Sequence, residues 1–297
     1  MIYQISHRTR YQYSIPVSFS HHRLHLTPRP CAHQVCHRTA LSVSPNPTVQ
    51  TASEDYFGNP VTNITLQDQH KELSLHSRSV IEVRPTSPPD PSQTVPWDTI
   101  YEDLYGDTSD TGLDAIQYVF DSPRAAASST LAGYARSSFP PGAPVLAGAL
   151  DLTRRIYKEF TYDGTATTVS TPVEEVFSGR RGVCQDFAHL EIACLRSLGV
   201  PARYVSGYLL THPPEGKERL IGADASHAWL AVWCPGHGWV DLDPTNNLVV
   251  SVEHITVAWG RDYSDVSPVK GAIFGGGAHT IDVAVDVVPA ANAVGVR

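Results

Sequence analysis

Residues 179–190, GRRGVCQDFAHL, set a cysteine behind a glycine-bounded basic loop and at the head of a run with helical spacing. Ala188, Ile192, Leu195 and Gly199 mark one face of that run, and Gly199-Val200-Pro201 ends it. Cys184 therefore stands at a predicted helix N-terminus. A free thiol has a pKa of about 8.5, so it holds little thiolate at neutral pH. Unpaired N–H groups and the positive end of a helix dipole both favour the thiolate.

Two later segments supply what a thiol nucleophile needs. Strand signals run over Ala202–Leu210, His227–Cys234 and Gly238–Leu242, separated by turns. His227 opens one strand, in Ser226-His227-Ala228-Trp229. An acidic pair closes the next, in GWVDLDPT at 238–245. An imidazole beside the sulfur would take its proton and later deliver it to the leaving group. A carboxylate on the far ring nitrogen would fix the tautomer and stabilise the imidazolium. Asp241 and Asp243 are two apart on a strand and share a face, so alternation does not separate them.

Upstream the period changes from helical to two. Tyr3, Ile5, His7, Thr9, Tyr11 and Tyr13 alternate with Ile2, Gln4, Ser6, Arg8, Arg10 and Gln12, as in a strand or hairpin arm. Further strand-like runs are Phe19–Leu26, Val35–Val43, Val49–Ser53, Val61–Leu66 and Leu73–Val83, with turns such as Ser44-Pro45-Asn46-Pro47 between them. Residues 1–84 thus read as an antiparallel, β-sandwich-like domain. Four prolines within 84–91 make 85–97 a linker. The remaining 98–297 reads as one α+β unit. It has helices at Ala125–Phe139 and Ala143–Phe160, a helix start at Thr171-Pro172, and late strands at His254–Ala258 and His279–Val288.

Composition narrows the partners. Lys and Arg number 22 against 30 Asp and Glu, a net charge of −8, which argues against nucleic acid and an anionic membrane surface. No run of 18 apolar residues and no signal-peptide core stand out, so the expectation is a cytoplasmic protein. The five cysteines are odd in number and form no C-x2-C pair. His21, His22, His25, His33, Cys36 and His37 cluster without a zinc spacing. Neither a metal nor another cofactor is expected. Cys194 and Cys234 read as core, Trp229 and Trp239 as packing residues, and Glu191 as exposed or paired.

The three segments together resemble the core of the transglutaminase-like, papain-like cysteine superfamily: Cys184 in GVCQDFAHL, His227 in SHAWLAVW and Asp243 in GWVDLDPTNN. That similarity spans about 150–250. The N-terminus, ISHRTRYQYSIPVSFSHHRLHLTPRP, resembles the N-terminal region of bacterial members, as does the tail segment GRDYSDVSPVKGAIFGGG. The resemblance implies a nucleophile at a helix N-terminus packed on an antiparallel sheet. It implies Cys184 as nucleophile, His227 as base and acid, and Asp243, four residues after Trp239, as orienting carboxylate. An upstream aromatic often completes the oxyanion hole in this superfamily, which makes Tyr162 the candidate second donor beside the Cys184 N–H. No aromatic follows the cysteine and no calcium loop is visible, unlike the animal transglutaminases. The expected activity is thiol-dependent acyl transfer on a peptide, protein or small amide, leaning towards peptidase or amidase hydrolysis. The alternatives are amine acyl transfer and, from another class, an inactive binding or scaffold protein.

Overall fold

Tyr3, Ile5, His7, Thr9 and Tyr13 all point inward from one long strand, β1 (Ile2–Leu24), in a computed structural model that describes residues 1–211 and 226–290. The sequence suggested an arm and then a separate strand at Phe19–Leu26. The chain instead runs straight through, with register shifts between Gln12 and Val17 and between Val17 and Phe19. The irregularity surrounds Pro16, which cannot donate to a ladder. Strands β2 (Gln34–Ser44), β3 (Val49–Glu54), β4 (Pro60–Leu66) and β5 (His70–Val83) follow, close to their expected runs.

Helices α1 (Ile100–Tyr105), α2 (Asp110–Ile116), α3 (Ser129–Arg136) and α4 (Val145–Glu159) come next. Helix α3 is shorter than expected because Ser128 caps it, accepting from the Leu131 N–H. Then come β6 (Thr161–Tyr162), α5 (Val173–Gly179), β7 (Arg181–Gly182) and α6 (Cys184–Arg196). Thr171 does not cap α5: its hydroxyl accepts from the Thr168 N–H, and Pro172 holds the cap position. The rest is β8 (Ala202–Leu209), β9 (Ser226–Cys234), β10 (Gly238–Asp243), β11 (Leu248–Val249), β12 (His254–Gly260), α7 (Tyr263–Val266), β13 (Val269–Gly275) and β14 (His279–Pro289).

The first sheet runs β2-β5-β1-β4-β3, and β13 and β14 also pair with β1. This corrects the expected boundary. The last two strands were assigned to the 98–297 unit, yet both complete the N-terminal sheet. Residues 212–225 and 291–297 of that unit lie outside the described residues. Strand β1 exchanges neighbours along its length, pairing with β5 and β14 near its start and with β4 and β13 near its end. The two halves enclose Val17, Leu24, Ile64, Leu66, Leu73 and Leu75, which gives the sandwich-like form.

The second sheet runs β11-β10-β9-β8-β12, antiparallel throughout. Helix α6 packs on β8 and β9. It is buried from Asp186 to Arg196, so its apolar residues are not confined to one stripe. Its C-terminal Gly199 has a φ of 78°, where a side chain is strained. The two sheets are joined by side-chain amides. The Gln34 side chain accepts from the Thr256 N–H at 2.9 Å and donates to the Thr256 carbonyl at 2.7 Å. Asn59 does the same to Trp259, at 2.9 and 2.8 Å. These contacts satisfy the open side of β12, which would otherwise be a bare sheet edge. Tyr3, Ile5, Ile81 and Val83 of the first sheet share one core with α4, α6 and β9.

Glu191 lies in that core with no exposed surface. One oxygen accepts from the Thr153 hydroxyl at 2.7 Å and the other has no partner among the described residues. Burial raises its pKa to about 8, against the Thr153 hydrogen bond and with help from the Asp243 charge. A carboxyl raised in the folded state releases its proton first in the unfolded chain, near pH 4.5. Stability should therefore fall as pH rises from there to about 8, by roughly 1.4 kcal/mol per unit. Glu191→Gln keeps an oxygen for Thr153 and removes that slope. Urea melts should show the variant gaining on the wild type by about 1–3 kcal/mol between pH 5 and pH 8. An equal difference at both values would contradict a neutral buried Glu191.

Candidate active site

The start of α6 is built to leave its first N–H groups for another use. Val183 at the N-cap has no capping oxygen. Asp186 reaches back instead, accepting from the Val183 N–H at 2.8 Å and the Thr167 hydroxyl at 2.6 Å. A Cβ at Gly182 would lie 2.7 Å from the Asp186 carboxylate, so only glycine fits there. Cys184 thus takes the first helical position, partly exposed, at a cleft of about 320 Å³.

His227 opens β9 opposite Gly207 of β8. The Trp229 ring covers Gly207, where a Cβ would come within 2.4 Å of it. His227 and Trp229 share one face of β9, and Asp241 and Asp243 face them from β10. Register assigns the carboxylates. Asp241 accepts from the Trp229 indole N–H at 3.0 Å. Asp243 Oδ2 lies 2.7 Å from His227 Nε2. Cys184 and His227 line the same cleft, and the sulfur is among the groups that raise the His227 pKa. With Nε2 on Asp243, Nδ1 is the nitrogen left for the sulfur.

Asp243 is fully buried and heavily coordinated. Oδ1 accepts from the N–H groups of Thr245 and Asn246 at 2.9 and 3.2 Å. Oδ2 also accepts from the Asn246 side chain at 2.7 Å and from His254 Nε2 at 3.1 Å. Burial works to raise its pKa, but the hydrogen bonds from His227, His254 and Asn246 and the His227 charge hold it well below the usual carboxylate range. For His227, burial works to lower the pKa. Hydrogen bonds and charge from Asp243 and Cys184 outweigh it and raise the value to about 10. The imidazole therefore holds its proton at neutral pH.

His254, at the head of β12, is the member that sequence reasoning missed. It was read only as the start of a strand, and no spacing ties it to the other three. His227, Asp243 and His254 offer ligand atoms within 4.8 Å of one another, an arrangement that could hold a metal. Both imidazoles already donate to Asp243 Oδ2, and a zinc bond of about 2.1 Å would have to replace those hydrogen bonds. The N-terminal histidines do not converge. His25 pairs with Asp55, His21 with Thr65, and His37 with Glu82.

Tyr162 is exposed on β6, and Tyr204 of β8 rather than Tyr162 lines the cleft. Burial, then the Cys184 charge, raises the Tyr162 hydroxyl pKa. Cys194 and Cys234 are buried in the core. Trp229 is buried, and Trp239 packs edge-on against Trp233 and Tyr118.

A thiol on a helix N-terminus, an imidazole and a buried carboxylate define a thiol-dependent class of enzyme. Residues 3–82 match the bacterial transglutaminase-like N-terminal region, and residues 134–244 match the transglutaminase-like superfamily. The chain belongs to the transglutaminase-like superfamily. An uncharacterized protein of Mycobacterium tuberculosis is 41% identical over 298 residues, covering 97% of this chain and 92% of that one. A protein-glutamine gamma-glutamyltransferase of Pseudomonas aeruginosa is 31% identical over 102 residues, 32% of this chain and 15% of that one. The crystal structure of a candidate cysteine protease from Cytophaga hutchinsonii superposes with a TM-score of 0.75 at 24% identity, covering 97% of this chain and 91% of that one. That likeness is one of fold.

Proposed function

We propose that this chain is a cysteine hydrolase of peptide or related amide bonds, working through an acyl-enzyme. The observation that carries the reading is the buried Asp243–His227 pair in the same cleft as Cys184, which stands at the head of α6. The sulfur attacks the carbonyl carbon, and charge moves to the oxygen. The Cys184 N–H, unpaired within its helix, is the first donor to that oxyanion. As the C–N bond breaks, His227 gives its proton to the leaving nitrogen, and a thioester remains. Water then attacks while His227 takes its proton. The acid leaves and the thiolate–imidazolium pair is restored. An amine in place of water would make the same site a transferase, the activity named for the Pseudomonas relative, which matches 32% of this chain.

The test is selective alkylation. Limiting iodoacetamide at pH 6–7, followed by peptide mass spectrometry, should label Cys184 first. In His227→Ala that labelling should slow by at least about tenfold at pH 6 and converge with the wild type above pH 9, as free thiols ionise. Equal rates in the two proteins below pH 7 would remove the pair and favour the scaffold reading.

A further inference from the structure

Strands β1 and β14 belong to the N-terminal sheet, yet they form one wall of the cleft that holds Cys184 and His227. Their register sets Thr9 opposite Val283 and Tyr11 opposite Ile281. Alternation therefore puts Thr9, Tyr11, Ile281 and Val283 on one face. All four line the cleft, and so does His7 at its base.

The aliphatic pair has no evident part in the fold. Ile281 is 54% exposed and Val283 50%, and neither joins a hydrophobic core cluster. Two residues further along the same face, Val285 is 1% exposed and packed in the main core. Single exposed aliphatics need no explanation. Here two are adjacent on one face, continued across the ladder by Tyr11, with Val269 and Tyr263 also lining the cleft. The base of the wall is neutral. His7 hydrogen-bonds the Tyr208 hydroxyl at 2.8 Å and Thr9 at 3.1 Å. Burial, then the nearby His76, lowers its pKa to about 4. Among the described lining residues none is Asp, Glu, Lys or Arg. About 320 Å³ accommodates one side chain with its backbone.

We propose that this cleft binds a peptide through an aliphatic or aromatic side chain next to the reacting carbonyl, and that Ile281, Val283 and Tyr11 form the wall that reads it. The proposal rests on the hydrolase reading of Cys184 and adds its substrate class. It also assigns the N-terminal sheet a part in specificity.

The probes are N-acetyl-alanyl chloromethyl ketones in which Leu, Phe, Asp or Lys carries the ketone. The sulfur displaces chloride, so the rate of Cys184 modification reports binding beside it. Each rate is divided by the iodoacetamide rate for the same protein, which corrects for thiol reactivity. In the full chain, Leu and Phe probes should react at least tenfold faster than Asp and Lys probes. Ile281→Thr with Val283→Thr keeps β-branched residues on the strand and should shrink that ratio at least threefold. Val283→Lys should raise the relative rate of the Asp probe. Equal rates for the four probes, or a preference unchanged in both variants, would overturn the inference while iodoacetamide labelling of Cys184 upholds the hydrolase reading. No labelling of Cys184 by iodoacetamide or any ketone would overturn both.

Discussion

Cys184→Ala should abolish amide or peptide turnover, with a loss of at least about 10⁴-fold, because single nucleophile deletions in triad enzymes reach that scale. No other thiol can take over. Burial raises the pKa of Cys31 and Cys36, pushes Cys234 up to about 12 and raises Cys194 further. Cys194 and Cys234 also have no exposed surface. The fold should survive. Cys184 is partly exposed at a helix start, and Ala is a strong helix former. A thermal melt should move by no more than about 4 °C. The variant should also lower the His227 pKa, since the sulfur is one of the groups raising it. Histidine NMR titration would read that shift directly. Residual turnover within tenfold of the wild type would place the nucleophile elsewhere.

The chemistry was legible where it is local. Alternation in residues 3–13 and the helical run after Cys184 each carry their own period, and both elements form as read. Long-range pairing has no such signal. Nothing within 279–289 says that its partner is 3–13, because a strand's own residues specify a buried face and not a neighbour. The same limit hid His254. It reaches Asp243 from β12, and β12 lies two strands from β9 in the sheet. Glu191 was illegible for a related reason. Helix α6 is covered on all sides, so position within a helical repeat does not predict which residues meet water.

The choice between Asp241 and Asp243 needed register, and the two carboxylates should part sharply on amidation. At position 243 the donors are arranged against an amide. The N–H groups of Thr245 and Asn246 require an oxygen at the Oδ1 site. Asp243→Asn must therefore turn its NH₂ towards His227 Nε2, His254 Nε2 and the Asn246 amide, all of which present hydrogens to the native oxygen. His227 can relieve that conflict only by losing its Nε2 proton, which leaves a neutral imidazole with its hydrogen on Nδ1. The nitrogen facing Cys184 then carries a hydrogen and cannot take the thiol proton. Turnover should fall by about 10³- to 10⁴-fold, the scale of a wrong-tautomer histidine in a serine protease. Asp241→Asn meets no such conflict, since its amide oxygen can still accept from Trp229, and it should stay within about threefold of the wild type. The pH dependence of folding should report Asp243→Asn too. A carboxyl depressed in the fold contributes stability above its unfolded pKa near 3.8, lost as pH falls. A histidine raised to about 10 contributes below its unfolded value near 6.5, lost as pH rises through 10. Asp243→Asn should remove stability most between those two unfolded values, around pH 4–6.5, where both groups are ionised. A larger loss of turnover in Asp241→Asn than in Asp243→Asn would reverse the assignment of the carboxylate.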